Sequence, residues 1–211
     1  MIVHESVLTA TQTRVLRAVG PMARRAGFYL AGGTAVALRF GHRRSEDFDW
    51  FTSALPRPDS LLSDLQAQGL PLQETQIEAG TVISRIEGVK ISFFEYRYPL
   101  LSPLDSWPEY DTDIASPRDL GAMKLLAIAQ RGSRKDFVDV HELLQNGSVL
   151  RQMLEDFREK FKADPISALR GLTYFDDAEA EPMPEMMLER DWTSLRSRIL
   201  AQVGQYLENG K

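Results

Sequence analysis

The spacing of apolar residues along this 211-residue chain changes period several times, and each change marks an element. Over residues 6–26, Val7, Leu8, Val15, Leu16 and Val19 recur at helical spacing and Gly27 supplies a stop, which predicts an amphipathic helix. Pro21 lies inside that stretch and either kinks the helix or splits it in two. A short apolar run, 28–31, then meets Gly32-Gly33-Thr34 and a small-residue helical segment. The basic patch His42-Arg43-Arg44 follows, and Asp47-Phe48-Asp49-Trp50 reads as a second strand. Side chains alternate along a strand, so Asp47 and Asp49 share one face while Phe48 and Trp50 enter the protein.

Pro56 and Pro58 break the pattern, and a helix starting at Asp59 or Ser60 runs to about Gln68, closed by Gly69. Three strand-like segments, 73–78, 81–86 and 89–97, are joined through Gly80 and Gly88, which predicts an antiparallel meander. Pro99, Pro103 and Pro108 make 98–110 an extended connector. From Ser116 onward the pattern is helical. Ser116-Pro117-Arg118-Asp119 combines a cap, a first-position proline and a first-turn acid, and that helix reaches about Arg131. Further helices run from Ser133 to near Asn146-Gly147, over 150–161, briefly after Pro165, and over 192–207. Residues 173–190, with Asp176, Asp177, Glu179, Glu181, Pro182 and Pro184, read as a mobile acidic loop.

Composition narrows the classes. Apolar residues at 43% and charged residues at 26% are enough for a globular core. A net charge of −5 argues against nonspecific nucleic-acid binding through bulk charge and leaves room for a local basic cleft. The absence of cysteine excludes disulfides and thiolate metal sites and suits the cytoplasm. The N-terminus lacks the basic and apolar regions of a signal peptide, and no apolar run is long enough to predict a membrane span.

The candidate chemistry sits in two blocks. Carboxylates about 7 Å apart along one strand face suit a hard divalent cation such as Mg²⁺. The backbone N–H groups of the glycine turn, with the Thr34 hydroxyl, would hold phosphates that the cation bridges. The plainer alternative is a pair of surface acids matched to Arg43 and Arg44, and a glycine pair that only closes a strand–helix turn. In the second block, Lys124 interrupts the apolar run 122–129. Arg131 lies seven residues on, on the same helix face about 10 Å away. With Arg134 and Lys135 these residues make a basic stripe suited to phosphate oxygens, against the alternative of a snorkelling surface lysine. Asp136 and Asp139 fall in the first turn of the following helix, where Ser133 and Asp136 fit a capping box. Asp119 reads as a structural cap and His141 as packing, and three widely spaced histidines do not suggest zinc.

Taken together, YLAGGTAVALRFGHRRSEDFDWF and DLGAMKLLAIAQRGSRKDFVDVHELL resemble the AbiEii/AbiGii toxin-type nucleotidyltransferases of the polymerase-β-like superfamily, over about 28–144. The resemblance implies an α+β fold: a polymerase-β-like core, a mixed sheet with flanking helices, plus a C-terminal helical region. The division falls at 1–115 for the core with its N-terminal helix and 116–211 for the helices that complete the nucleotide site. By similarity, Gly32, Gly33 and Thr34 match the phosphate-binding motif, and Asp47 and Asp49 the metal pair. Lys124 and Asp136 match a later lysine and acid expected near the nucleotide. Arg44, Ser45, Arg131, Arg134 and Lys135 are counted with the nucleotide contacts. The implied ligands are an NTP and Mg²⁺ or Mn²⁺, with nucleotide transfer to an acceptor such as the tRNA 3′ end, and pairing with an antitoxin in the cytoplasm. One departure stands out. Such enzymes commonly carry a third acid on a neighbouring strand, and Ser92 occupies the strand centre where it is expected. Glu95 lies on the opposite face by alternation, so Asp136 is the candidate replacement. Two other readings follow from that gap and from the acidic net charge: a non-catalytic nucleotide- or partner-binding relative, and a small-molecule nucleotidyltransferase of the antibiotic-modifying type.

Overall fold

The computed structural model describes residues 3–209. A 3₁₀ turn at Glu5–Val7 precedes α1 (Ala10–Arg25), which starts in a reciprocal Thr9–Gln12 capping box and runs unbroken through Pro21. The chain then makes β1 (Tyr29–Ala31), α2 (Gly32–Phe40) and β2 (Phe48–Thr52). Next come α3 (Pro58–Ala67), β3 (Leu72–Glu78), β4 (Thr81–Ile86) and β5 (Val89–Glu95). Two short strands follow, β6 (Asp105–Trp107) and β7 (Thr112–Ile114). The rest is helical: α4 (Pro117–Gln130), α5 (Arg134–Gln145), α6 (Leu150–Phe161), α7 (Ile166–Gly171), α8 (Asp176–Glu179) and α9 (Trp192–Glu208). Among the described residues no helix is long and apolar enough to cross a membrane.

The strands form one mixed sheet in the order β3-β4-β5-β2-β1-β7-β6. The β3–β4–β5 meander is antiparallel as expected, β5 runs parallel to β2, and β2 is antiparallel to β1. The supposed extended connector contributes β6, and β7 pairs parallel to β1 in the middle of the sheet. Along β2, Phe48 and Trp50 are buried while Asp49 is half-buried on the other face, and Asp47 stands just ahead of the strand. Trp50 stacks on Phe93, whose ring meets Phe28 edge-on at 5.0 Å, so a hydrophobic wall backs the strand that carries the acid. α2 packs on both α4 and α5, bringing the glycine turn to the second block of candidate residues.

Residues 173–190, read from the sequence as an acidic loop, are laid down as a strap. Met186 bridges to Arg43, the Arg44 N–H donates to the Glu185 carbonyl at 2.8 Å, and the N–H groups of Met187 and Leu188 donate to the His42 carbonyl. Arg134 ties down its start, donating to the carbonyls of Ala178 and Glu179, and Arg190 pairs with Glu142 at 2.6 Å at its end. Asp119 is structural, as expected, and does more than cap α4. Fully buried, it accepts from the N–H groups of Leu101 and Ser102 and pairs with buried Lys160 at 2.6 Å, which pins the connector after β5.

Candidate active site

The glycine turn is built for close approach. Gly32 has φ +68°, and a Cβ there would sit 2.7 Å from Asp49 Oδ2, so conformation and space both require glycine. A side chain at Gly33 would collide with the Arg43 guanidinium. No side chain caps α2, so the first-turn N–H groups lack a side-chain acceptor, as at an anion-binding helix start. Thr34 departs from its expected role. It is buried, its hydroxyl donates to the Asp47 carbonyl, and Ser45 Oγ lies 2.8 Å away. The Ser45 carbonyl in turn accepts from the Gln12 amide. Thr34 thus shapes the approach to Asp47, with its hydroxyl turned to Asp47 and Ser45.

Asp49 pairs in register with Ser92 of β5, the position where a third acid was expected. Ser92 Oγ is buried without a hydrogen bond of normal geometry, yet its hydroxyl still favours the ionised Asp49. Burial raises the Asp49 pKa and Asp47 raises it further, while Lys124, Lys90 and Ser92 pull it back only partly. Glu95 lies opposite Thr52 in the β2–β5 register and bonds Arg97, so it does not fill the gap.

Lys124 is buried, which rules out snorkelling. Its ammonium donates to Asp136 at 3.0 Å and reaches Asp139 at 2.6 Å. Arg43 grips Asp139 with two parallel bonds of 2.7 and 2.8 Å, and His42 Nε2 lies 2.9 Å from the same carboxylate. Arg131 likewise grips Asp136 at 2.8 and 3.1 Å, and the Ser133 hydroxyl donates to it at 2.9 Å. Burial pushes both aspartates up, but the cations outweigh it: Asp136 is held below the usual carboxylate range and Asp139 well below it. Asp136 thus has its oxygens filled by cations and a low proton affinity, which makes it a poor substitute for the missing acid. Ser133 makes no cap hydrogen bond, so the expected capping box does not form. A lysine has three donors, and two of Lys124's are used here, leaving one in the field of Asp49.

The basic stripe does not hold together. Arg131 stays with the site, its charge favoured by Asp136 and Asp49. Arg134 turns to the strap and lies over the Trp192 ring at 4.7 Å, Lys135 is exposed, and Arg44 pairs with Glu185 at 2.6 Å. Sequence reasoning passed over Arg43, Asp139, His42 and Lys90 as site residues. The signal for Asp139 was its place three residues after Asp136, on the same helix face.

These depressed carboxylates set an acid limit. Glu142, held at about 2 against burial by His141 and Arg190, joins Asp136 and Asp139. A depressed folded pKa adds stability above the unfolded-state values near 4 and loses it as pH falls through the folded values. The urea midpoint is therefore expected to hold from neutral pH to about 5 and to fall continuously towards pH 2. A flat profile over that window would contradict the ion cluster.

Asp47 and Asp49 fit a hard divalent cation. Two carboxylates, one with its pKa raised by burial and by the other, gain from a cation between them, and the absence of a Cβ at Gly32 lets the turn lie close against Asp49 Oδ2. Among the described residues no group of three His, Cys, Asp or Glu side chains is placed to hold a metal ion by itself. The remaining oxygen ligands would come from water and phosphate, the usual habit of Mg²⁺.

A glycine turn at a helix start faces Asp49 on a central strand of a mixed sheet, with Asp47 just ahead of that strand, in a fold shared with solved nucleotidyltransferases. Solved structures share this fold. JHP933 from Helicobacter pylori matches with a TM-score of 0.60 at 17% identity, over 99% of this chain and 96% of its own. MenT4, a nucleotidyltransferase toxin of Mycobacterium tuberculosis, matches at 0.58 with 11% identity, over 90% of this chain and 80% of its own. Residues 14–209 match the profile of the AbiEii nucleotidyl transferase toxin of type IV toxin–antitoxin systems, and the chain belongs to that family. An uncharacterized protein of Aquifex aeolicus is 38% identical over 185 residues, covering 86% of this chain and 89% of the relative.

Proposed function

We propose that this nucleotidyltransferase toxin moves a nucleotide from an NTP onto an RNA hydroxyl, such as the tRNA 3′ end, using Mg²⁺ or Mn²⁺, in the cytoplasm and under the control of a cognate antitoxin. The observation that carries it is the Gly32 turn set against Asp49, with Lys124 in the same field. The acceptor hydroxyl attacks the α-phosphorus and gives up its proton to water, one P–O bond forms, and the bond to pyrophosphate breaks. Asp47 and Asp49 would hold a divalent cation, which would supply charge neutralisation at the phosphates. The first-turn N–H groups from Gly32 and Gly33 hold the phosphates, and Lys124 and Arg131 offset the charge that builds as pyrophosphate leaves. Asp136 and Asp139 act as positioning residues that aim those cations. In this reading residues 1–115 bring the turn and the aspartates, and residues 116–211 bring the cations.

The test is incubation of the protein with labelled NTPs, total RNA and Mg²⁺. Label is expected in RNA and is expected to vanish with chelator or in the Asp47→Ala, Asp49→Ala double variant; transfer that survives the double variant would exclude this site. Ser92 opposite Asp49 favours a second reading, nucleotide binding without transfer. Calorimetric NTP binding with no label on any acceptor would select it.

A further inference from the structure

A groove of about 640 Å³ runs beside Arg131, between the end of α4 and the α7–α8 segment. Its volume is that of a small-molecule site, and Arg131 joins it to the Asp136–Lys124 cluster. Tyr174, 55% exposed, offers an aromatic face in this groove, with exposed Arg170 beside it and Ser167, Thr173 and Asp177 supplying hydroxyls and a carboxylate. An exposed aromatic ring in a groove also lined by two guanidinium groups is suited to a nucleobase and its phosphate, through stacking and charge neutralisation. The chain's net charge of −5 disfavours tracking a long phosphate backbone, so affinity here has to come from one or a few bases.

We propose that this groove seats the unpaired end of the acceptor strand, with Tyr174 stacking on its terminal base and Arg170 neutralising the adjoining phosphate. Arg131 then marks the boundary between acceptor and triphosphate. The proposal rests on the nucleotidyl-transfer reading for the identity of the strand, and its binding test needs no transfer to occur. The incoming NTP's own base is the other source of the same chemistry, and the two are separated by measuring them apart.

The experiment reads anisotropy of a short 5′-labelled single-stranded RNA, alongside ATP binding by calorimetry, on the full chain and on Tyr174→Ala, Tyr174→Phe and Arg170→Ala. RNA binding is expected to weaken about tenfold in Tyr174→Ala and Arg170→Ala and to be retained in Tyr174→Phe, with ATP affinity unchanged. Unchanged RNA affinity in both truncations, no RNA binding by the parent chain, or a loss confined to ATP would each overturn it. A blunt duplex bound as tightly as the single strand would overturn it too. Loss of ATP binding by the parent chain, with the RNA pattern intact, would instead count against the transfer reading alone.

Discussion

Asp49→Asn is expected to abolish nucleotide transfer while leaving the fold as stable as before, or more so. The carboxylate is largely buried, faces Asp47, and is compensated only in part by Lys124, Lys90 and Ser92. A group whose folded pKa is raised destabilises the native state once it is ionised, so an uncharged amide of the same shape removes that penalty. Charge stabilisation by a held cation contributes several kcal/mol to phosphoryl chemistry. Losing half of the carboxylate pair is therefore expected to lower kcat by about a thousandfold or more. Thermal melts and label transfer on the same preparation check both halves. A variant that loses activity only because it melts early would show Asp49 to be a structural acid.

Asp139→Ala should have the opposite signature, a loss of stability larger than any other single change at the site. Its carboxylate is inaccessible to solvent and takes both bonds of the Arg43 fork, the Lys124 ammonium and His42. Removing one partner of a buried ion pair leaves the other charge uncompensated and typically costs about 3–5 kcal/mol. Here two cations are stranded together. Urea unfolding at neutral pH is the measurement, and a change below about 1 kcal/mol would mean the cluster relaxes into water. Activity should fall as well, because Arg43 backs Gly33 and Lys124 faces Asp49.

Much of this was legible in the chain because it is local. The Gly32–Gly33 turn, the alternation around Asp49 and the β3–β5 meander each follow from neighbours in sequence. That Ser92 stands where a third acid is expected came from the family resemblance, and its register opposite Asp49 came only with the fold. What escaped depends on long-range pairing. Strands of three residues, Asp105–Trp107 and Thr112–Ile114, are too short to show a period and sit among prolines. A surface role for Lys124 stayed open as the alternative because its partners, Asp136 and Asp139, lie on the next helix. Arg44 and Arg134 looked like phosphate ligands because they are arginines beside a motif. The fold gives them to Glu185 and to the Ala178 and Glu179 carbonyls, and nothing in their own surroundings announces it.

The strap has a consequence for how the site is held together. His42 and Arg43, which hold Asp139 behind the glycine turn, are themselves fastened by Met186, Met187 and Leu188. Those fasteners lie far along the chain from the pair they hold. A chain lacking them keeps the aspartates and the lysine of the site but loses the clamp on the histidine and arginine that steady them.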